Sequence, residues 1–342
     1  MTVTMTPRDI LVIKLRYLGD VLLATPTLEA LKAAHPVARL TVVVNRGTEA
    51  MLAGNPHVDE VLPLERGSIL SQWRFLVGLR TRRFDWVIDL TDADRSAWLT
   101  RMTGAPVRIG FNDEGRIRGR CYTEVVRGEP GAHRVERDLA SLAPLDIVAA
   151  GNSPHLWLTP EEERRAADLL SREGVEGRSP LAMLQPGARY WFKAWPWERF
   201  AALADRLAEQ YGYQVLIGGS RQEFDLAERI CGAASSRPIN LAGRADMRIY
   251  AAVLKRASLF VGNDSGAMHV AAAVGTPVVA LFGPSDPKEW GPRGGAAAVL
   301  YKGLDCRICF HPTCERGEEN CMKLIGIEEV LSAIGRLRAI AR

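Results

Sequence analysis

The stretch Phe260-Val-Gly-Asn-Asp-Ser-Gly-Ala-Met-His269 decides the fold, because it reads as the strand–turn–helix unit of an α/β domain. Residues 258–261 suit a short buried strand, residues 262–266 a tight polar turn, and residues 267–274 a helix. Asp264 or Ser265 is placed to N-cap that helix, leaving first-turn amides directed at the end of the strand. Those amides and the helix dipole favour a phosphate-bearing ligand. Ser265 and His269 are four apart and so share one helix face. Gly275-Thr-Pro277 ends the helix, and a second buried strand, 278–282, runs into Gly283-Pro-Ser-Asp-Pro287. Two adjacent strands thus deliver two polar loops to one edge of one sheet, where open α/β folds bind ligands. The alternative is an ordinary capped helix between two core strands.

The same alternation runs through the rest of the chain. Residues 10–15, 40–44, 58–62 and 86–90 read as strands in the first half, with a helix from about 20 to 34 and another from about 135 to 148. Ala149-Ala-Gly-Asn-Ser-Pro154 resembles an interdomain connection. A helix over 160–173 follows, then strands at 181–184 and 214–217, a helix after Pro196, and another near 224–231. Strands alternating with helices imply parallel sheets wrapped on both faces. At 342 residues the chain fits two domains. The expected division is 1–152, a connection at 153–178, and 179–342, with the last helix returning to the N-terminal domain.

Composition narrows the class. A hydrophobic content of 47% and a charged content of 25% describe a soluble globular protein. No apolar run approaches the ~20 residues of a membrane span, and the N-terminus lacks a signal peptide's apolar core, so a cytoplasmic location is expected. The net charge of +4 is mild. Arg116, Arg118 and Arg120 alternate, and an alternating strand would put them on one face, suited to an anionic ligand or an anionic membrane. A solvated basic edge strand is the alternative. Nucleic acid is not expected, since the basic residues are not interleaved with aromatics.

Three further loops bear chemistry. A dinucleotide site would follow its first strand with G-x-G-x-x-G and an acidic residue about 20 positions on. Here the strand runs into Arg16-Tyr-Leu-Gly-Asp20, with a single glycine, and the next ends in Val44-Asn45-Arg46 without a carboxylate. Asp20 either caps the following helix or faces ligand as a general base. The loop Leu184-Gln-Pro-Gly-Ala-Arg-Tyr-Trp-Phe-Lys-Ala-Trp-Pro-Trp197 places Arg189 and Lys193 before a helix start. Cations are unfavourable there unless an anion joins them. Ile217-Gly-Gly-Ser-Arg-Gln-Glu223 offers Glu223 as a ribose ligand or as a favourable first-turn charge.

Together, residues 10–26, Lys193-Ala-Trp-Pro196 and Gly262-Asn-Asp-Ser-Gly-Ala-Met-His269 resemble glycosyltransferase family 9, which includes the ADP-heptose:lipopolysaccharide heptosyltransferases. The resemblance runs from Ile10 to about Val330. It implies a GT-B fold: two Rossmann-like, doubly wound parallel-sheet domains facing a central cleft, acceptor on the first and nucleotide sugar on the second. It implies Asp20 as the base in an inverting transfer and Lys193 at the diphosphate. Gly187, Arg189, Glu223, Asp264, Ser265, Gly266 and His269 become donor-binding candidates, and Gly19, Arg116, Arg118 and Arg120 acceptor-binding candidates. Arg189-Tyr-Trp-Phe192 departs from the family's more polar loop.

The implied partners are an ADP-sugar donor and an anionic lipid-linked oligosaccharide acceptor, met peripherally at the inner face of the cytoplasmic membrane. No cofactor is required. Asp92-Ala-Asp94 has metal-pair spacing but follows an acceptor-domain strand, where a solvated or acceptor-contacting loop is favoured over metal. Cys306, Cys309, Cys314 and Cys321, with His311 among them, fit a structural zinc, disulfides (against which the expected cytoplasmic location argues) or buried thiols. Two other classes remain: a sugar-nucleotide epimerase on a related scaffold, and an idle binding protein that would lack the base. A different nucleotide-sugar donor for the same reaction is a further alternative.

Overall fold

The structure, a computed structural model, describes residues 5–65, 67–175, 177, 179–306 and 314–340. The chain forms two units, Met1–Trp157 and Leu158–Arg342. In the first, β1 (Asp9–Lys14), β2 (Arg39–Asn45), β3 (Glu60–Leu64), β4 (Trp86–Asp89), β5 (Val107–Phe111) and β6 (Glu124–Val126) lie in the order β3-β2-β1-β4-β5-β6. Its helices are α1 (Leu18–Leu23), α2 (Thr25–Ala34), α3 (Ile69–Thr81), α4 (Asp94–Thr103) and α5 (Arg134–Ala140).

The second unit opens with helix α6 (Pro160–Arg172). Its strands are β7 (Leu181–Gln185), β8 (Gln214–Ile217), β9 (Ile239–Asn240), β10 (Leu259–Asn263), β11 (Val278–Phe282) and β12 (Ala297–Tyr301). They lie in the order β12-β11-β10-β7-β8-β9. The remaining helices are α7 (Trp197–Tyr211), α8 (Phe224–Ala233), α9 (Met247–Arg256), α10 (Gly266–Ala273), α11 (Pro287–Trp290) and α12 (Ile327–Ile340). Every strand pairing is parallel. Counted within its own unit, each sheet has the doubly wound order 3-2-1-4-5-6.

Burial explains the central strands. Parallel strands covered by helices on both faces need continuous apolar runs rather than alternation. Residues Ile10, Leu11, Val12 and Ile13 of β1 are at most 1% exposed, and β11 is buried throughout. The strands that sequence reading missed, β5, β6, β9 and β12, lack such a run. Arg108 interrupts β5, β9 has two residues, and β12 alternates exposed and half-buried positions.

Three expected elements come out differently. The helix expected from about 20 to 34 is two helices that meet at Ala24. Pro26 has no N–H to give the Leu22 carbonyl, and the Thr25 hydroxyl donates to that carbonyl instead, at 2.8 Å. The helix expected at 135–148 stops at Ala140, with a short 3-10 turn at Ala143–Leu145 around Pro144. The strand expected at 58–62 is displaced to Glu60–Leu64, in register with β2.

Helix α6 belongs to the second unit, where Glu162 holds Arg248 of α9. Helix α12 buries Val330, Ala333 and Ile334 in the core of the same unit, beside Leu203 and Leu207 of α7.

Candidate active site

In the second unit the strand order reverses between β7 and β10, and loops leaving such a switch point diverge to open a crevice. Lys193 lies in the loop after β7, on a 3-10 turn at Trp191–Lys193. Asp264 follows β10 directly. Its carboxylate accepts from the Lys193 ammonium at 2.6 Å, with the Asp264 side chain 9% exposed and that of Lys193 22% exposed. Fully buried Asn263 ties the same two loops together: its amide donates to the Pro186 carbonyl at 2.7 Å, and its oxygen accepts from the Trp195 backbone N–H at 3.1 Å. Trp195 anchors the far end of the loop through its indole N–H, which donates to the Ile325 carbonyl.

Helix α10 starts beside this pair. Ser265 occupies the N-cap position, as expected, but its hydroxyl makes no cap bond and finds no partner among the described residues. The opening amides of a helix have no intrahelical acceptors, so Ser265, Gly266 and Ala267 present donors at the mouth of the crevice. His269 lies one turn further along α10 and is buried.

The loop after β8 meets the loop after β7 at Gly187. A Cβ at Gly187 would lie 1.6 Å from Glu223 Oε1, so that carboxylate rests against bare backbone. Glu223 also accepts from the Ser220 N–H at 2.6 Å in a capping box. Beneath them the Tyr250 hydroxyl donates to Gln185 Oε1 at 2.6 Å. Burial, with the nearby Glu223 charge adding to it, pushes the Tyr250 phenol well above its ordinary range and keeps it a donor. Gln185, Asn263 and Tyr250 had been given no role from sequence. Gln185 and Asn263 each follow directly on a buried strand run, but nothing in spacing pairs them with partners 65 to 77 positions away. Arg189 and Tyr190 stay exposed on the outer part of the loop, with the guanidinium 5.7 Å from the Tyr190 ring centre.

In the first unit the switch point lies between β1 and β4. Gly19 and Asp20 fall in the first turn of α1, with Gly19 buried and Asp20 half-buried. The Asp20 carboxylate accepts from the Tyr17 N–H at 3.3 Å, a weak cap that leaves most of its acceptor capacity unused. At the end of β1, Lys14 pairs with Asp138 of α5 at 2.6 Å and donates to the Leu90 carbonyl at 3.1 Å. Burial pushes the Asp138 carboxyl up, Lys14 opposes that rise, and the negative charge of Asp20 adds to it.

The expected basic strand does not exist. Residues Ile117–Cys121 form a 3-10 turn with Arg116 at its N-cap, so the three arginines do not share a strand face. Arg118 is buried and pairs with Asp92 at 2.6 Å and with Asp94 at 3.4 Å. Asp92 also receives Arg137 at 2.7 Å. The Asp92/Asp94 pair therefore holds arginines. Arg116 pairs with Glu114, and Arg120 is exposed.

Cys309 and His311 lie outside the described residues. Cys306 is exposed, while Cys314 and Cys321 are half-buried. Among the described residues, no three His, Cys, Asp or Glu side chains gather as a metal site.

Comparison with known proteins gives a consistent answer. A family model described as glycosyltransferase family 9 (heptosyltransferase) matches residues 72–319. Lipopolysaccharide heptosyltransferase 3 of Escherichia coli strain K12 is 31% identical over 342 residues, covering 94% of this chain and 96% of that protein. A solved family 9 glycosyl transferase from Veillonella parvula superposes with a TM-score of 0.86 at 27% identity, covering 97% of each chain. The solved E. coli ADP-heptose lps heptosyltransferase II superposes with a TM-score of 0.79 at 25% identity, covering 97% of this chain and 99% of that one.

Proposed function

The chain belongs to glycosyltransferase family 9, the heptosyltransferases, and from that premise we propose that it moves a heptose from ADP-heptose to an anionic, lipid-linked sugar of a lipopolysaccharide core. The observation that carries this reading is the Lys193–Asp264 pair beside the open first turn of α10. A cation held at a helix N-terminus is a place for a diphosphate.

In this mechanism the second unit binds the donor. The amides of Ser265, Gly266 and Ala267 take phosphate oxygens, and Lys193 exchanges part of its contact with Asp264 for the diphosphate. Asp264 then turns to the sugar, and Glu223 accepts from the ribose hydroxyls across the bare backbone of Gly187. The first unit supplies the base. An acceptor hydroxyl oxygen attacks the anomeric carbon as the bond from that carbon to the diphosphate oxygen breaks, with inversion. Asp20 takes the hydroxyl proton, and ADP leaves carrying the electron pair, its growing charge met by Lys193 and the α10 amides. These groups neutralise the leaving group without a divalent ion.

The acceptor is lipid-borne in this reading, so the enzyme works at the inner face of the cytoplasmic membrane as a peripheral protein. No helix among the described residues is long and apolar enough to cross a membrane.

The test is calorimetric titration with ADP, UDP, GDP and NAD. Selective ADP binding is expected, weakened in Lys193→Ala. Preference for UDP or GDP would keep the reaction and replace the donor, while turnover of ADP-heptose without any acceptor would point to an epimerase.

A further inference from the structure

Helix α3 is amphipathic in an unusual sense: it keeps a large apolar surface on the side facing away from the core. Leu79 is buried at 2% exposed, whereas Leu70, Trp73 and Val77 are 61%, 53% and 53% exposed. Their spacing of three and four residues puts all three on one helix face, opposite Leu79. Helix α4 packs alongside α3 and adds Trp98, 59% exposed, at the rim of a groove of about 300 Å³ that Phe75 and Leu76 also line. Scattered exposed apolar side chains are ordinary, but three large ones on one helix face, with a fourth on the helix packed beside it, are a feature of the kind that marks an interaction surface.

The charge around the patch selects its partner. Residues 67–84 contain four arginines and no acidic residue. Arg82 pairs with Glu60, but Arg74 and Arg80 are exposed and form no ion pair among the described residues, and nor does Arg95 of α4. Arg74 lies beside Leu70 and Val77 on the outer face, and Arg95 lines the groove with Trp98. A helix carrying Trp and Leu on its outer face with arginines at the margin is the composition of an element lying in a membrane interface. Tryptophan suits the headgroup level, and arginines suit anionic headgroups.

We infer that the outer face of α3, with Trp98 of α4, docks the protein on an anionic phospholipid bilayer. The inference names the surface behind the peripheral membrane association proposed above, but it stands on this patch alone and needs neither donor nor acceptor sugar.

The test uses vesicles that carry no glycolipid, so the outcome does not depend on the transfer reaction. The full chain should float with phosphatidylglycerol-containing vesicles and not with pure phosphatidylcholine, and binding should fall with salt. Brominated lipid should quench its fluorescence. The double substitution Trp73→Ser/Trp98→Ser should lower partitioning at least about tenfold and abolish most of the quenching, with the thermal midpoint and ADP affinity retained. Arg74→Glu/Arg95→Glu should lower partitioning to anionic vesicles by a similar factor. Binding that both variants keep, or no vesicle binding by the parent protein, would overturn the inference. So would a parent dimer in sedimentation that the Trp substitutions dissociate, since a second copy would then cover the face.

Discussion

A lysine at the start of a helix opposes the helix dipole. Lys193 ends the 3-10 turn before α7, and its ammonium is met beside the start of α10 by Asp264, 2.6 Å away. In the proposed mechanism a phosphate replaces that carboxylate while Asp264 turns to sugar hydroxyls, so that neither charge is left dry. Asp20 is a different case: it keeps acceptor capacity, and its charge reaches the buried Lys14–Asp138 pair, where it helps raise the Asp138 carboxyl. The two roles separate experimentally. Asp20→Asn should lower kcat by about 10²- to 10⁴-fold while ADP affinity stays within about tenfold, because a base acts only in the chemical step. Lys193→Ala should instead weaken ADP binding by about tenfold or more, the scale of one lost charge-assisted hydrogen bond. Isothermal titration alongside steady-state kinetics reads both, and a similar profile for the two variants would refute this division of labour.

At the scale of elements, α10 and α6 treat their first turns in opposite ways. Ser265 withholds its hydroxyl from the α10 amides. Thr159 and Glu162 close a full capping box on α6, and the Glu162 carboxylate also receives Arg248 of α9 through two nitrogens, at 2.7 and 2.8 Å. One helix start lacks a side-chain cap, whereas the other is closed by side chains on both sides of its first turn. The Arg248 hydrogen bonds hold the Glu162 carboxyl at about 2, below its ordinary 4.5. Folding therefore favours the ionised form, so the contribution is complete above pH 4.5 and is lost as pH falls toward 2. Glu162→Gln should lower the denaturation midpoint near neutral pH, by an amount equivalent to about 1 kcal/mol. The gap between parent and variant should close progressively below pH 4.5. A gap that stays constant down to pH 2 would mean that ionisation of Glu162 contributes nothing.

The molecule repeats one sheet topology twice and differentiates the two copies through loops. The first unit spends its acidic loop residues Asp92 and Asp113 on Arg118 and Arg137, while in the proposed mechanism the second uses its loop amides and Lys193 on the donor. Charge neutralisation by lysine and amides predicts transfer that survives metal removal. Protein treated with a strong chelator should retain its rate within about twofold, since Lewis-acid stabilisation is worth several kcal/mol where it operates. The thermal midpoint, followed in the same samples, reports separately on the cysteines. A fall in the midpoint at unchanged rate would mark a structural metal, and a collapse in rate would show that a divalent ion takes part in the chemistry.

Continuous apolar runs such as those of β1, β10 and β11 made the central parallel strands legible from sequence, because a strand buried on both faces has no other way to read. The β10–α10 motif likewise announced its own turn and helix start, since a helix N-terminus is a local object. Family membership followed from three such local motifs in order. Edge strands β9 and β12 were invisible, as their pairing energy comes from a neighbour rather than from their own residues. The break at Ala24 turned on a hydroxyl taking the place of the N–H that Pro26 lacks. The basic triplet at Arg116, Arg118 and Arg120 misled for the same reason: alternation in sequence becomes one face only if the backbone is extended, and Asp92, 26 positions from Arg118, claims that side chain in the fold. Sequence determined which residues could do chemistry, because side-chain type and helix-start spacing are local properties. Tertiary structure alone decided which charges were already spent and that the apolar face of α3 was left in solvent, because ion pairing and burial depend on partners that only the folded chain brings within reach.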